Sequence, residues 1–94
     1  MGFEWPDWAL AGLRDIEPYE VMQVVTGKNR WVRSAVSGWG GLRVVTIWGH
    51  THNDRPLIVA VRLLGNLRTQ IVGARDLHPD ELADLEAWEA SRDE

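Results

Sequence analysis

Cysteine is absent from this 94-residue chain. Disulfides, thiolate zinc sites and cysteine nucleophiles are thereby excluded, and the composition suits a reducing cytoplasm. Long apolar runs are missing as well. The longest, Leu57 to Val61, stops at Arg62, far short of the roughly 20 residues a spanning helix needs. No membrane association is expected. No basic stretch followed by an apolar one opens the sequence, so no secretory signal is expected either. The chain shows no internal repeat, no low-complexity segment, no paired carboxylates set for hydrolysis and no nucleophilic serine motif.

Acid is scarce in one region only. Residues 21–75 hold Asp54 alone against Lys28 and seven arginines, a net charge of +7. Residues 1–20 carry −4 and residues 76–94 carry −7, for −4 overall. A basic centre between two acidic flanks points to an anionic partner. The same distribution equally allows the acids to pair with the central arginines inside the fold.

What is present is 45% hydrophobic residues, including six tryptophans. That is an ordinary globular composition for one domain over residues 1–94, with no room for two. Large aromatic side chains matter in so small a core.

The patterning predicts an α+β fold. Gly2 to Trp5 reads as a short first strand or an extended lead-in. Pro6-Asp7 suits a helix start, with Trp8, Ala9, Leu10, Ala11 and Leu13 following and Gly12 weakening the helix. A second helix is expected from Pro18, with Tyr19, Met22 and Val25 spaced by three and Gly27 ending it in a left-handed conformation. Four strands follow as an antiparallel meander: Arg30–Val36, Leu42–His50, Leu57–Leu64 opening at Pro56, and about Leu67–Arg75. Ser37 to Gly41 supplies a glycine-rich turn, and Gly65-Asn66 a two-residue one. Gly73 marks a bulge or a close backbone approach. His78-Pro79-Asp80-Glu81 starts a C-terminal helix with Leu82, Leu85 and Trp88 as its apolar stripe and Asp84, Glu86 and Glu89 solvated.

Alternation puts Leu42, Val44, Thr46, Trp48 and His50 on one face of their strand, and Leu57, Val59, Val61 and Leu63 on a fully apolar face of the next. In the last strand it pairs Arg75 with Ile71 and sets both opposite Arg68 and Gln70.

Three residue classes carry candidate chemistry. Guanidinium groups hold phosphate bidentately and stabilise charge built up in phosphodiester cleavage. Arg43, Arg62, Arg68 and Arg75 lie on the predicted strands, as does Arg33. His50 and His52 stand two apart at a strand end. They suit general acid–base work near neutrality, a metal site completed by Asp54, or plain loop polarity. Trp31, Trp39 and Trp48 lie among the arginines, and exposed aromatic rings stack on unpaired bases. Trp48 and Trp88 suit core filling, whereas Trp39, in the glycine-rich turn, suits exposure. Those glycines would serve a plain hairpin connection or a phosphate cradle, but no P-loop pattern surrounds them.

Four segments resemble the BrnT-like toxins of bacterial type II toxin–antitoxin systems. They are Phe3-Glu4-Trp5, Leu13-Arg14, the apolar strand Leu42–Trp48, and Ile71-Val72-Gly73-Ala74-Arg75. The resemblance implies a RelE-type ribonuclease fold, RNA as substrate and an antitoxin as partner. It carries over to Arg75 and, less fully, to Arg14. The family's Lys-His pair after Leu-Arg is replaced here by Asp15 and Ile16, and its second arginine after Ala-Arg by Asp76.

Two functions follow as expectations. One is a cytoplasmic, toxin-like RNA-binding protein. If it cleaves, it does so without metal or cofactor, with Arg75 and Arg62 stabilising the transition state and His50 or His52 as acid or base. Arg33, Arg43, Arg68 and Trp39 would hold the RNA. The other is a non-enzymatic interaction module whose basic sheet binds an acidic protein or a second copy of the chain. A small-molecule pocket between helices and sheet is a third possibility, with no ligand named by the sequence.

Overall fold

The computed structural model describes residues 2–28, 30–36, 43–66 and 68–91. Within them the elements are β1 (Gly2–Glu4), α1 (Asp7–Gly12), α2 (Pro18–Val25), β2 (Trp31–Val36), β3 (Arg43–His50), β4 (Pro56–Leu64), β5 (Arg68–Asp76) and α3 (Pro79–Ser91). The fold is α+β, with a five-stranded mixed sheet in the order β1-β5-β4-β3-β2. The expected meander is there as β2 to β5. Four antiparallel strands is nevertheless an undercount, because Gly2–Glu4 adds a fifth strand parallel to β5. Three residues carry little periodic signal, so only the parallel ladder distinguishes a strand from a lead-in.

The helix ends follow local chemistry. At the start of α2 the Glu20 side chain accepts from the Glu17 backbone N–H at 2.9 Å, half of a capping box around Pro18. The other end departs from expectation. Gly27 is not in the left-handed region. Thr26 closes the helix, its hydroxyl donating to the Met22 carbonyl at 2.7 Å. A side chain at Gly27 would start 3.0 Å from the Gln23 carbonyl, a tight contact that glycine avoids. Positive φ falls instead on Asp15, Asp54 and Asn66. Since Leu64 pairs with Arg68, the β4–β5 connection is three residues long rather than two.

The main core lies between the sheet and the first two helices. Val21, Val24 and Val25 of α2 and Ile16 before it pack on Ile47, Leu57, Val59, Val61 and Ile71. Leu57, Val59, Val61 and Ile71 are essentially inaccessible, each worth ~1.5–3 kcal/mol of burial. Leu63, predicted for the same face, is 71% exposed near the end of β4.

The opposite face carries α3. Three contacts place it across the strands. Trp88 stacks on Trp31 with ring centroids 5.3 Å apart, Glu89 approaches His50, and Glu81 binds Arg75. Leu85 is fully buried beneath the helix. The acids of α3 therefore do not form one solvated face. Glu81 and Glu89 share the inward stripe with Leu85 and Trp88, while Asp84 and Glu86 are exposed.

A bulge decides which side Arg75 occupies. Ala60 pairs with Gly73 but Val61 pairs with Ile71, so Val72 is the extra residue. Strict alternation sets Arg75 on the side of Ile71. With the bulge it lies opposite Ile58, on the α3 side with Arg62, Gln70 and Arg68.

Candidate functional site

The turn after β3 is built to hold its side chains still. Thr51 is buried, and its hydroxyl oxygen accepts from the backbone N–H groups of Asn53 and Arg55 at 3.3 and 3.1 Å. Two backbone bonds close the turn, from Thr51 N–H to the Arg55 carbonyl and from Asp54 N–H to the Thr51 carbonyl, each 2.9 Å. Asp54 takes the left-handed conformation that this tight turn requires, which Asp tolerates better than most residues. The turn is tied to α2 by a 3.0 Å bond from the His52 backbone N–H to Gln23 Oε1.

A cleft of about 570 Å³ opens where this turn, the end of α2, the start of β2 and the end of α3 meet. Gln23, Lys28, Arg30, His50, His52, Asp54 and Glu89 supply much of its polar wall. His50 Nδ1 lies 3.4 Å from Glu89 Oε2. A carboxylate near Nδ1 leaves Nε2 as the ring nitrogen open to a ligand. His52 is exposed on the same cleft. Lys28 and Arg30 bring two cations that hold anionic oxygen.

The arginines have other company. Arg75 binds both oxygens of Glu81, at 2.7 and 2.8 Å, and its Nη1 also donates to the Asp76 carbonyl. The pair holds Glu81 down to about 2, chiefly through the Arg75 hydrogen bonds against a smaller desolvation cost, and raises Arg75 for the same reason. Arg55 is a hub. It binds Asp76 through two bonds of 2.8 and 3.0 Å, donates to the Asp15 carbonyl at 2.6 Å and reaches Glu20 at 3.3 Å. Hydrogen bonding to Arg55 lowers Asp76 below the usual carboxylate range and raises Arg55 in turn. Arg68 pairs with Glu4 at 2.9 Å. Both acidic flanks thus neutralise arginines of the sheet and of the turn beside it.

Two sheet arginines stand apart. Arg62 is half-buried and has no hydrogen-bond or ion-pair partner among the described residues. Arg33 lies over two indoles, with Cζ 4.5 Å from the Trp31 ring centroid and 5.0 Å from that of Trp48. This contact holds the guanidinium by its face and leaves its edge for ligands.

The predicted site residues therefore separate. His50 and His52 share the cleft. Arg75 and Arg62 are not in its wall. Arg33 and Arg62 lie on the α3 side of the sheet, as does Arg68 with its carboxylate partner. Arg43 heads β3 opposite Val36. Trp39 and the glycine-rich turn fall outside the described residues. Trp48 and Trp88 pack between sheet and α3 rather than presenting free rings, whereas Trp8 is 58% exposed on α1. Sequence reasoning did not single out Lys28, Arg30, Gln23 or Glu89 for the cleft. Their convergence depends on where two helices end against one strand, which no local spacing encodes. Among the described residues no group of three or more His, Cys, Asp or Glu side chains is arranged to hold a metal ion. No described helix is long and apolar enough to cross a membrane.

No model of a known protein family matches the chain, and no curated protein does.

Proposed function

We propose that the protein binds single-stranded RNA and cleaves it without a metal, in the manner of the toxin-like, RelE-type ribonucleases its sequence resembles. The observation that carries this reading is the cleft where His50, backed by Glu89, meets His52, Lys28 and Arg30. One histidine takes the proton of a ribose 2′-OH as that oxygen attacks the adjacent phosphorus. The P–O5′ bond breaks, and the other histidine supplies a proton to the departing O5′. Lys28 and Arg30 stabilise the extra negative charge on the phosphoryl oxygens. The products are a 2′,3′-cyclic phosphate and a 5′-hydroxyl end.

The test is incubation of a defined RNA with the purified protein in excess EDTA, with end-group analysis of the fragments. Cyclic phosphate ends are expected. A 2′-deoxy substitution at the cut position should block cleavage. His50→Ala and His52→Ala should each slow it by roughly 10²–10⁴-fold. Cleavage that both variants leave intact would refute the assignment.

A second reading has its own support. Arg75, the residue best matched to the toxin family, has its guanidinium committed to Glu81. Asp76 and Asp15, at positions where that family carries basic groups, instead engage Arg55 through a carboxylate and a backbone carbonyl. These features favour a non-enzymatic module that binds an acidic protein through its unpaired cations. It requires no cleavage under any condition, and capture of an acidic peptide that is lost in Arg62→Ala.

A further inference from the structure

The register lays out the α3-side face in rows. Trp31, Trp48, Ile58 and Arg75 form one row under α3. The next row is Arg33, Thr46, Ala60 and Gly73, small in its middle. A side chain added at Gly73 would meet nothing within 4 Å. Beyond it lie Val44, Arg62, Gln70 and Glu4, with Arg62 directly across the ladder from Gln70.

Two observations set this strip apart. Arg62 and Arg33 are sheet cations without an acidic partner among the described residues, although Arg68 and Arg75 on the same face each have one. Independently, Gln70 Oε1 is shut off from solvent and accepts no hydrogen bond among the described residues. Flipping the amide exchanges an orphaned acceptor for an orphaned donor, so neither orientation satisfies the group. A missing donor thus lies next to a missing anion, with side chains about 5 Å apart at Cβ across the ladder. Ribose 2′-OH and the phosphate beside it present that couple of donor and anion on neighbouring atoms. Among the described residues no bond holds Arg62 in place, so it can turn toward an incoming anion.

We propose that this strip is a ribose-phosphate site. Arg62 takes a phosphate, Gln70 accepts from the adjacent 2′-OH, and Arg33, fixed on its two tryptophans, takes a phosphate further along the strand. The inference rests on the RNA reading above. It adds the face across which the strand runs and a means of telling RNA from DNA.

The test measures binding of one single-stranded RNA and the DNA of the same sequence across a salt series, with the RNA verified intact. Arg62→Met and Arg33→Met should weaken both nucleic acids. Each should flatten the slope of log K against log salt by about 0.7. Arg62→Lys should restore the slope. Gln70→Met should cost about tenfold on RNA and nothing on DNA. Salt slopes untouched by both arginine variants, or equal losses on RNA and DNA in Gln70→Met, would overturn the site. Titration with a ribonucleoside 3′-monophosphate, followed by the Gln70 side-chain amide NMR signal, separates this site from the function it rests on. A shift seen in the native protein, absent in Arg62→Met and absent with the 2′-deoxy analogue, supports the site even if no RNA strand binds or is cut. No shift with the ribonucleotide overturns it, whatever long RNA does in the cleft.

Discussion

Replacing Glu81 by Gln removes the charge from the contact that anchors the start of α3 to the sheet. The native carboxylate accepts two hydrogen bonds from Arg75 and a third, at 2.8 Å, from the His78 backbone N–H. Its pKa falls from 4.5 to about 2. At 1.36 kcal/mol per pKa step that sets a ceiling of ~3 kcal/mol. Arg75 is 48% exposed, and solvent screens the pair, so the expected loss at pH 7 is about 1–2 kcal/mol. For a domain of this size that is a Tm decrease of roughly 5–12 °C. The folded-state pKa lies below the unfolded one. The stabilisation is therefore complete above about pH 4.5 and disappears as pH falls toward 2. Urea denaturation of native and Glu81→Gln proteins from pH 7 to pH 2 reads the difference directly, because the other carboxylates titrate in both. The gap should be constant above pH 5 and close by about pH 2. A gap that persists undiminished at pH 2, or that is absent at pH 7, would refute the account of Glu81 as an ion-pair anchor.

Other perturbations test separate parts of the fold. Arg55→Met should destabilise by about 2 kcal/mol, since it leaves Asp76, Glu20 and the Asp15 carbonyl without their shared donor. In that variant the Asp76 pKa, followed by NMR, should rise back toward the ordinary carboxylate value; an unmoved pKa would contradict the hub. Leu57→Ala empties a fully buried position between α2 and the sheet and should cost about 2–5 kcal/mol in chemical denaturation. Trp88→Ala removes the ring stacked on Trp31. It should cost about 2 kcal/mol and reduce the near-UV circular dichroism, while the far-UV spectrum keeps its shape.

The legibility of the sequence varies with the range of the interaction. Alternation in Leu57–Leu64 identified the sheet side of the main core, because it is written in a few consecutive residues, whereas the spacing by three of Tyr19, Met22 and Val25 in α2 did not mark the buried face, which is Val21, Val24 and Val25 with Tyr19 exposed. Pro18 and Pro79 marked helix starts for the same reason. The misses are longer in range or smaller in signal. Gly2–Glu4 is a strand only because β5 lies beside it. Gly73 drew attention as a possible bulge, yet the inserted residue is Val72, and that single step carries Arg75 to the other face. Gly27 has the sequence position of a left-handed cap, but its backbone is not left-handed and its lack of a side chain instead relieves a tight approach to the Gln23 carbonyl.

Charge illustrates the same division. The order of acidic, basic and acidic segments is fully visible in the sequence, and so is the alternative that they pair. Which arginines are paired is visible only after folding. Coulomb attraction and bidentate hydrogen bonding act over a few ångströms, and the separations between Arg55 and Glu20, Arg68 and Glu4, or Arg75 and Glu81 are set by strand order and helix placement. The sequence by itself determined the α+β class, the apolar faces and the concentration of basic residues in the middle of the chain, since these depend on local pattern and composition. The tertiary structure alone decided that His50 and His52 share a cleft with Glu89, Lys28 and Arg30. It also decided that Arg75 is bound to an acid while Arg62 and Arg33 have none among the described residues, because those facts are distances between elements far apart in the chain.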